Sequence, residues 1–248
     1  MTRQVSIGIV AMALVVPAHL GVAAAAGPPF ELAVTHDRLF GDRTGTLVVS
    51  VDGIEYRTRD ADDARRWSYD EVKQVQVLSP TRIRVLTYED GGRLRLGADR
   101  TFDFIVVSGA ASPDLVTFLL ERIDRPVVTA VMPQYSSEPR YRIRVKHQRQ
   151  GRGSEGTLLL SDRQLVYVTE QEEASRYWRF GDIESVLRLD RFRLQIAAYE
   201  GGSTRPFVFE LKSDLPDGFY DLLWARVNPP SLDSTAPVVD GLAATARD

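Results

Sequence analysis

The stretch WSYDEV at residues 67–72 returns as WRFGDI at residues 178–183, 111 positions further along the chain. Around it, residues 30–91 align with residues 141–202 without a gap, and 17 of the 62 paired positions are identical. Chance pairing would give roughly one identity in sixteen. Because the period is longer than the roughly 20 to 50 residues of a solenoid unit, the sequence predicts a duplicated domain.

Alternating apolar and polar residues at the start of each copy are typical of a half-buried strand. Asp52-Gly53 lies between two further apolar runs and favours a two-residue hairpin turn, whereas Asp162-Arg163 in the second copy predicts a looser turn. Trp67 and Trp178 occupy equivalent places, and we expect both to be core residues because an indole buries a large apolar area. With the apolar runs that follow, each copy contains about seven short strands.

Each copy then changes to a helical period. Ser112-Pro113-Asp114 combines a capping hydroxyl, a proline for the first turn and an early acid, which predicts a helix start. We therefore predict a mainly β fold class, α+β by count, in which a C-terminal helix closes the core of each copy. The apolar face of the two helices consists of Leu115, Phe118, Leu119 and Ile123, and of Phe219, Leu222, Leu223 and Val227.

The N-terminal residues 1–26 have the pattern of a signal peptide: Arg3, a 12-residue apolar core and an alanine-rich cleavage region. They predict an exported protein, periplasmic or secreted, with an uncleaved N-terminal anchor as the alternative. The predicted organisation continues with a first domain at 28–125, a proline-containing linker at 126–139, a second domain at 140–228 and a disordered tail at 229–248. Within the linker, residues 127–132 are apolar enough to pack on one domain.

The composition restricts the functions to consider. The chain has no cysteine, so no disulfide stabilises it, and its net charge of −3 gives no global field for nucleic acid. Of its 31 basic residues only Lys73, Lys146 and Lys212 are lysines, which we attribute to the codon bias of a GC-rich bacterium.

A family resemblance rests on the repeated aromatic, spacer, aromatic, spacer, acid, aliphatic element at residues 67–72 and 178–183. With about seven strands and a closing helix, each copy resembles the pleckstrin-homology-like (PH-like) domains, particularly their bacterial and GRAM-type branches. The resemblance covers nearly all of the mature chain. It implies two tandem, partly open β-barrels of about seven strands that bind lipid head groups, peptides or proteins; because this fold hosts unrelated functions, the implication ends at binding.

Catalytic patterns are scarce in the sequence. It contains no Gly-x-Ser-x-Gly, Ser-x-x-Lys or phosphate-loop motif, and no metal-binding histidine spacing, so we predict neither a metal nor a cofactor. His36 and His147 are equivalent strand-end residues, read as inherited through duplication, with matched pH-sensitive groups as the alternative. Glu89 and Glu200 are expected to be solvated turn residues rather than acids or bases. The acidic residues Asp60, Asp62 and Asp63 could ligate calcium but lack the pattern of a helix-loop-helix site.

A basic run on the first strand of the second copy and the loop after it provides the candidate ligand-binding residues. In lipid-binding PH-like domains, basic residues at this place hold phosphates, which the resemblance carries over to this run. In the first copy Arg38 and Arg43 are the equivalents, and Asp37 and Asp42 offset them. A solvated strand face is the alternative interpretation. The candidates are Arg140, Arg142, Arg144, Lys146, Arg149 and Arg152.

These observations predict a non-enzymatic binding or scaffolding protein of the bacterial envelope, with a protein or peptide partner. The first alternative is binding to anionic lipid or a membrane surface through the basic strand and loop of the second domain. The second is a hydrolase with an unrecognised site, which would need a deep pocket around carboxylates such as Glu89 or Glu200.

Overall fold

The computed structural model describes residues 27–38, 41–90, 99–134, 137–149, 153–171 and 173–230. The predicted signal peptide lies outside these residues, as does the predicted disordered tail from residue 231 onward. Among the helices formed by the described residues, none combines the length and apolar character needed to cross a membrane.

The part of the chain that the structure describes is mainly β, as predicted, with two α-helices. A short 3-10 helix, Phe180–Asp182, precedes the thirteenth strand. The strands are β1 Phe30–Asp37, β2 Arg43–Ser50, β3 Gly53–Thr58, β4 Arg65–Trp67, β5 Val72–Ser79, β6 Arg82–Asp90, β7 Asp99–Ser108, β8 Val127–Thr129, β9 Tyr141–Gln148, β10 Ser154–Leu160, β11 Gln164–Val168, β12 Arg176–Arg179, β13 Ile183–Asp190, β14 Arg193–Glu200 and β15 Ser203–Leu211. The helices are α1 Pro113–Arg122 and α2 Phe219–Val227.

All fifteen strands belong to one large open mixed sheet, in the order β13-β14-β15-β9-β10-β11-β12-β8-β5-β6-β7-β1-β2-β3-β4. The first half (β1–β7 with α1) and the second half (β9–β15 with α2) have the same internal strand order. Strand β8, within the predicted linker, joins them: it pairs in parallel with β5 and antiparallel with β12. The residues expected to pack on one domain therefore contact both halves.

Each half has its own apolar core, to which strands and helix contribute. Trp67 and Trp178 are 2% and 3% exposed, which confirms that they are core residues. Gly45 and Gly156 are equivalent glycines against which the rings of Tyr56 and Tyr167 lie; a Cβ at either glycine would come 2.6 Å from the tyrosine ring. The duplication has therefore preserved a packing arrangement as well as a pattern.

The predicted helix start is present, and so is a two-residue hairpin turn in the first copy, but its turn residues are Val51 and Asp52 rather than Asp52 and Gly53, because Gly53 begins β3 and pairs with Ser50. The Ser112 hydroxyl accepts from the backbone N–H of Leu115 at 3.2 Å and caps α1. Two residues separate β2 from β3, whereas three separate β10 from β11, as the looser turn requires. Gly53 has φ +151°, and a Cβ there would lie 2.1 Å from the carbonyl oxygen of Trp67, so the close approach of β4 requires glycine.

Candidate functional site

The two halves meet where the β14–β15 turn packs against β5. The buried side chain of Gln74 bridges them: its Nε2 donates to the carbonyl of Tyr199 at 2.9 Å, and its Oε1 accepts from the N–H of Gly201 at 2.7 Å. Gln76 donates to the same Oε1 at 2.7 Å and so holds the amide in this orientation. Gly202 lies close to Leu86 of β6. The buried amide of Gln74 on the outer face of β5 is thus satisfied by the other half, and that of Gln76 by Gln74.

Arg179 makes a second connection between the halves. Its guanidinium donates to the carbonyl oxygens of Leu120, Ile123 and Arg125 at 2.8 to 2.9 Å, which satisfies groups at the C-terminal end of α1. The same guanidinium forms a bidentate pair with Asp182, both contacts at 2.9 Å. Burial raises the pKa of the Asp182 carboxyl, although Arg179 opposes this. The contact between the halves is therefore specific and hydrogen-bonded.

A cleft of about 450 Å³ lies along this joint. Tyr88 of β6 and Tyr199 of β14, which occupy equivalent positions in the two copies, both line it and are 47% and 40% exposed. The cations of Lys73 and Arg125 lie 5.8 and 5.9 Å from the centre of the Tyr88 ring. Lys73 is also paired with Asp99. The cleft thus offers two aromatic faces and two cations to a ligand.

The first half contains a cluster of charged residues at the end of β1 away from the helix. His36 Nδ1 lies 3.1 Å from a carboxylate oxygen of Asp63, and Arg38 approaches the other oxygen at 3.4 Å. Nearby, Trp67 Nε1 donates to Glu89 at 2.6 Å. The guanidinium groups of Arg65 and Arg100 complete this cluster, at 3.7 and 3.4 Å from Glu89.

The second half repeats the glutamate and its two arginines with deeper burial. Glu200 is 8% exposed and accepts from Arg176 Nε at 3.0 Å and from Arg205 at 2.8 Å. The expectation that it is a solvated turn residue is wrong for Glu200, because the arginines allow its charge to be buried. Glu89, with 34% of its side chain exposed, is half-buried and also paired.

His147 differs from His36 because the position equivalent to Asp63 is Ala174. His147 is 5% exposed, and within the described residues its Nδ1 has no hydrogen-bond partner. Burial, followed by the nearby charge of Arg149, lowers the pKa of His147 to about 4. The two copies therefore have one histidine that faces a carboxylate and one that is neutral at physiological pH.

The structure brings three of the basic candidates of the second half onto one strand face and separates the others. Arg142, Arg144 and Lys146 lie on the outer face of β9, whereas Arg149 lies near His147. Arg140 pairs with Asp162 at 3.2 Å. Arg142 pairs with Glu138 at 3.4 Å, and Lys146 is in register with Glu155 of β10 and Glu210 of β15. Arg152 lies outside the described residues.

The aspartates considered for calcium contact cations or backbone. Asp60 pairs with Arg43 at 3.0 Å, and Asp63 faces His36 and Arg38. No grouping of His, Asp and Glu suited to a metal ion occurs among the described residues.

The sequence did not predict the cleft. The repeat shows that Tyr88 and Tyr199 are equivalent residues, but it gives no sign that the two side chains line one surface.

No protein-family model and no curated protein matches this chain. Among solved structures, the chain is similar to one described as "Structure of the Spt16D Pob3N heterodimer". The identity is 7%, the likeness covers 71% of this chain and 87% of that chain, and the TM-score is 0.31.

Proposed function

We propose that this chain is an exported, non-enzymatic binding protein of the bacterial envelope, built from two tandem PH-like, partly open barrels. Support for the barrels comes from the identical strand order of the halves and from a separate core in each. In both halves the C-terminal helix contributes to the core, as expected of a helix that closes a curved sheet.

The cleft between the halves is the proposed binding site, and its ligand is a peptide or protein segment. The observation that carries this proposal is the exposure of Tyr88 and Tyr199 on one concave surface. Tyrosine is enriched at protein interfaces because its large ring loses little entropy on binding and its hydroxyl tolerates water. Lys73 and Arg125 add donors for peptide carbonyls or carboxylates.

The charged groups around the cleft favour binding over catalysis. Two carboxylates line the cleft, Asp124 and Asp182, and Asp182 is held by Arg179; beside the cleft, Asp99 is paired with Lys73. A general acid or base would need a carboxylate or histidine within reach of a substrate proton. His147 and Glu200 are both buried in the core region of the second half.

Binding to an anionic surface through β9 has weaker support. Guanidinium groups recognise phosphate when their positive potential is not compensated nearby. Here Glu138, Asp162, Glu155 and Glu210 accompany the basic side chains. The cleft is therefore the first surface to test.

Site-specific photo-crosslinking tests the proposal. A benzophenone amino acid is placed at Tyr88 or Tyr199 in the full chain and exposed to envelope extract. The matched control places it at Trp224, an aromatic residue of α2 that is 51% exposed and outside the cleft. We expect the same protein adduct from both cleft positions and none from Trp224. Equal adducts at all three positions, or none at the cleft, would contradict the proposal.

A further inference from the structure

Strand β8 shows how one edge of the first half is covered. It runs parallel to β5, with Val127, Val128 and Thr129 in register with Val75, Gln76 and Val77. The N–H of Ala130 continues the ladder by donating to the carbonyl of Val77 at 2.9 Å. All three β8 residues are at most 4% exposed, and Val127 belongs to the core of the first half.

Strand β13 is the equivalent of β5 and lies at one end of the sheet. Within the described residues it pairs with β14 and with no other strand. The two strands have the same irregularities. The pairing of β5 with β6 shifts its register after Val72 and after Val77, and the pairing of β13 with β14 shifts after the equivalent residues Ile183 and Arg188. Strand β13 therefore has an edge of the same shape as the β5 edge that β8 covers.

Apolar side chains are exposed along this edge, among the charged residues Glu184, Arg188 and Asp190. Leu187 is 49% exposed and Leu189 is 44% exposed, and Phe192 in the following turn is 51% exposed. An edge strand with apolar side chains and backbone groups that pair with no second strand invites another strand to add. Tyr220 reaches this edge from α2, and its hydroxyl donates to the Val186 carbonyl at 3.3 Å.

The sequence of β8 recurs near the end of the chain. Residues 126–131 read PVVTAV and residues 237–242 read PVVDGL, again 111 positions apart. Nine residues separate the end of α2 from Pro237, enough to span about 30 Å when extended. The apolar faces of the helices are 104 positions apart, and only three residues separate α1 from Pro126, so the longer connection after α2 restores the spacing of 111. The Pro-Val-Val sequence thus follows the helix in both copies, and in the first copy it belongs to the strand that covers the β5 edge.

We propose that residues 237–242 add to β13 as a parallel strand in the register that β8 has on β5. Val239 then lies beside Leu187, as Val128 lies beside Gln76, and Val238 lies beside Val186. The Gly241 N–H donates to the carbonyl of Arg188, the equivalent of Val77. The added strand covers apolar side chains that β13 otherwise presents to water, and it closes the second half as β8 closes the first.

Disulfide trapping in the full chain tests this register, because the native chain has no cysteine. Neighbouring strands lie about 4.8 Å apart, within the Cα separation that a disulfide spans. We expect the Leu187→Cys/Val239→Cys variant to form an intramolecular disulfide on mild oxidation. The matched Leu187→Cys/Val238→Cys variant should form far less, because its second side chain points to the opposite face.

A second measurement keeps the test independent of the cysteines. Removing residues 231–248 should increase amide hydrogen exchange in β13 at least tenfold and leave exchange in β5 unchanged. Unchanged exchange in β13 would overturn the proposal. So would equal oxidation of the two cysteine pairs, or a disulfide-linked dimer as the main product, which would assign the strand to a second copy.

Discussion

The guanidinium of Arg179 donates to the carbonyl oxygen of Ile123 at 2.8 Å, so a side chain of the second half caps the last turn of a helix in the first. The equivalent of Arg179 in the first half is Ser68, which hydrogen-bonds locally to Glu71 instead. The two copies therefore differ at the place where the halves contact each other. This contact lies beside the cleft that Tyr88 and Tyr199 line.

Replacing this arginine should weaken the joint between the halves. Arg179→Met leaves helix carbonyls without their donor and Asp182 without its counter-charge, in a region where water does not replace them well. We expect the free energy of unfolding to fall by about 2 kcal/mol. Chemical denaturation followed by circular dichroism measures it.

Two variants separate this effect from a general loss of charge. Arg163→Met removes an exposed arginine near β11 and should change stability by less than about 0.5 kcal/mol. Asp182→Asn in the Arg179→Met background should recover part of the loss, because the buried carboxylate is gone. Equal stability of the Arg179 and Arg163 variants would show that the cap contributes little.

The paired glutamates give a comparison within one molecule. Glu200→Gln leaves Arg176, which is 4% exposed, without its carboxylate, and should cost about 3 kcal/mol. Glu89→Gln affects a half-exposed cluster and should cost less than about 1 kcal/mol. Urea unfolding of both variants measures the difference, and a larger loss at Glu89 would contradict the ranking by burial.

Local patterns in the sequence predicted the features that depend on near neighbours. The Ser112 cap, the length of the turn at Asp52 and the burial of Trp67 follow from propensity, turn chemistry and hydrophobicity. Each involves residues close in sequence or a side chain whose burial is favourable in almost any core. Because the two copies align, the prediction for Trp67 applied equally to Trp178.

Features that depend on distant residues could not be predicted in this way. Gln74 reads as a polar residue on an ordinary strand, and its burial depends on Tyr199 and Gly201, more than 120 positions away. Glu200 reads as a turn residue until Arg176 and Arg205 are seen beside it. The cleft is likewise set by how the halves meet, and neither half contains it alone.

Acid should destabilise the native state through His147. Its folded pKa is about 4, below the value of about 6.5 in an unfolded chain, so between these values the unfolded state binds a proton that the native state does not. Stability is therefore unaffected by this group above about pH 6.5 and falls as the pH drops toward 4, by about 3 kcal/mol in total. Unfolding free energies of the wild type and of His147→Phe across this range isolate the effect; parallel curves would refute it.

An aspartate at position 174 should give His147 the pairing that His36 has. In the first half the carboxylate of Asp63 lies 3.1 Å from the imidazole, and Ala174 occupies the equivalent place in the second half. We expect Ala174→Asp to raise the pKa of His147 by at least one unit, as seen in NMR titration of its ring protons. Ala174→Asn, which adds a polar group without charge, should raise it much less.

Strand β8 should determine the stability of a fragment that contains only the first half. A fragment of residues 28–125 loses β8, whereas residues 28–134 keep it with Val127 in the core. We expect the longer fragment to be more stable by about 2 kcal/mol, the value of burying one valine side chain and a short ladder.

Two single substitutions test which side chain of β8 is responsible. Val127→Ala in the longer fragment should remove much of this gain. Val128→Ala should matter less there than in the full chain, because Val128 lies on the face of Gln76 that the second half covers. Equal stability of the two fragments would mean that β8 belongs energetically to the joint, and failure of both to unfold cooperatively would mean that the halves are not independent domains.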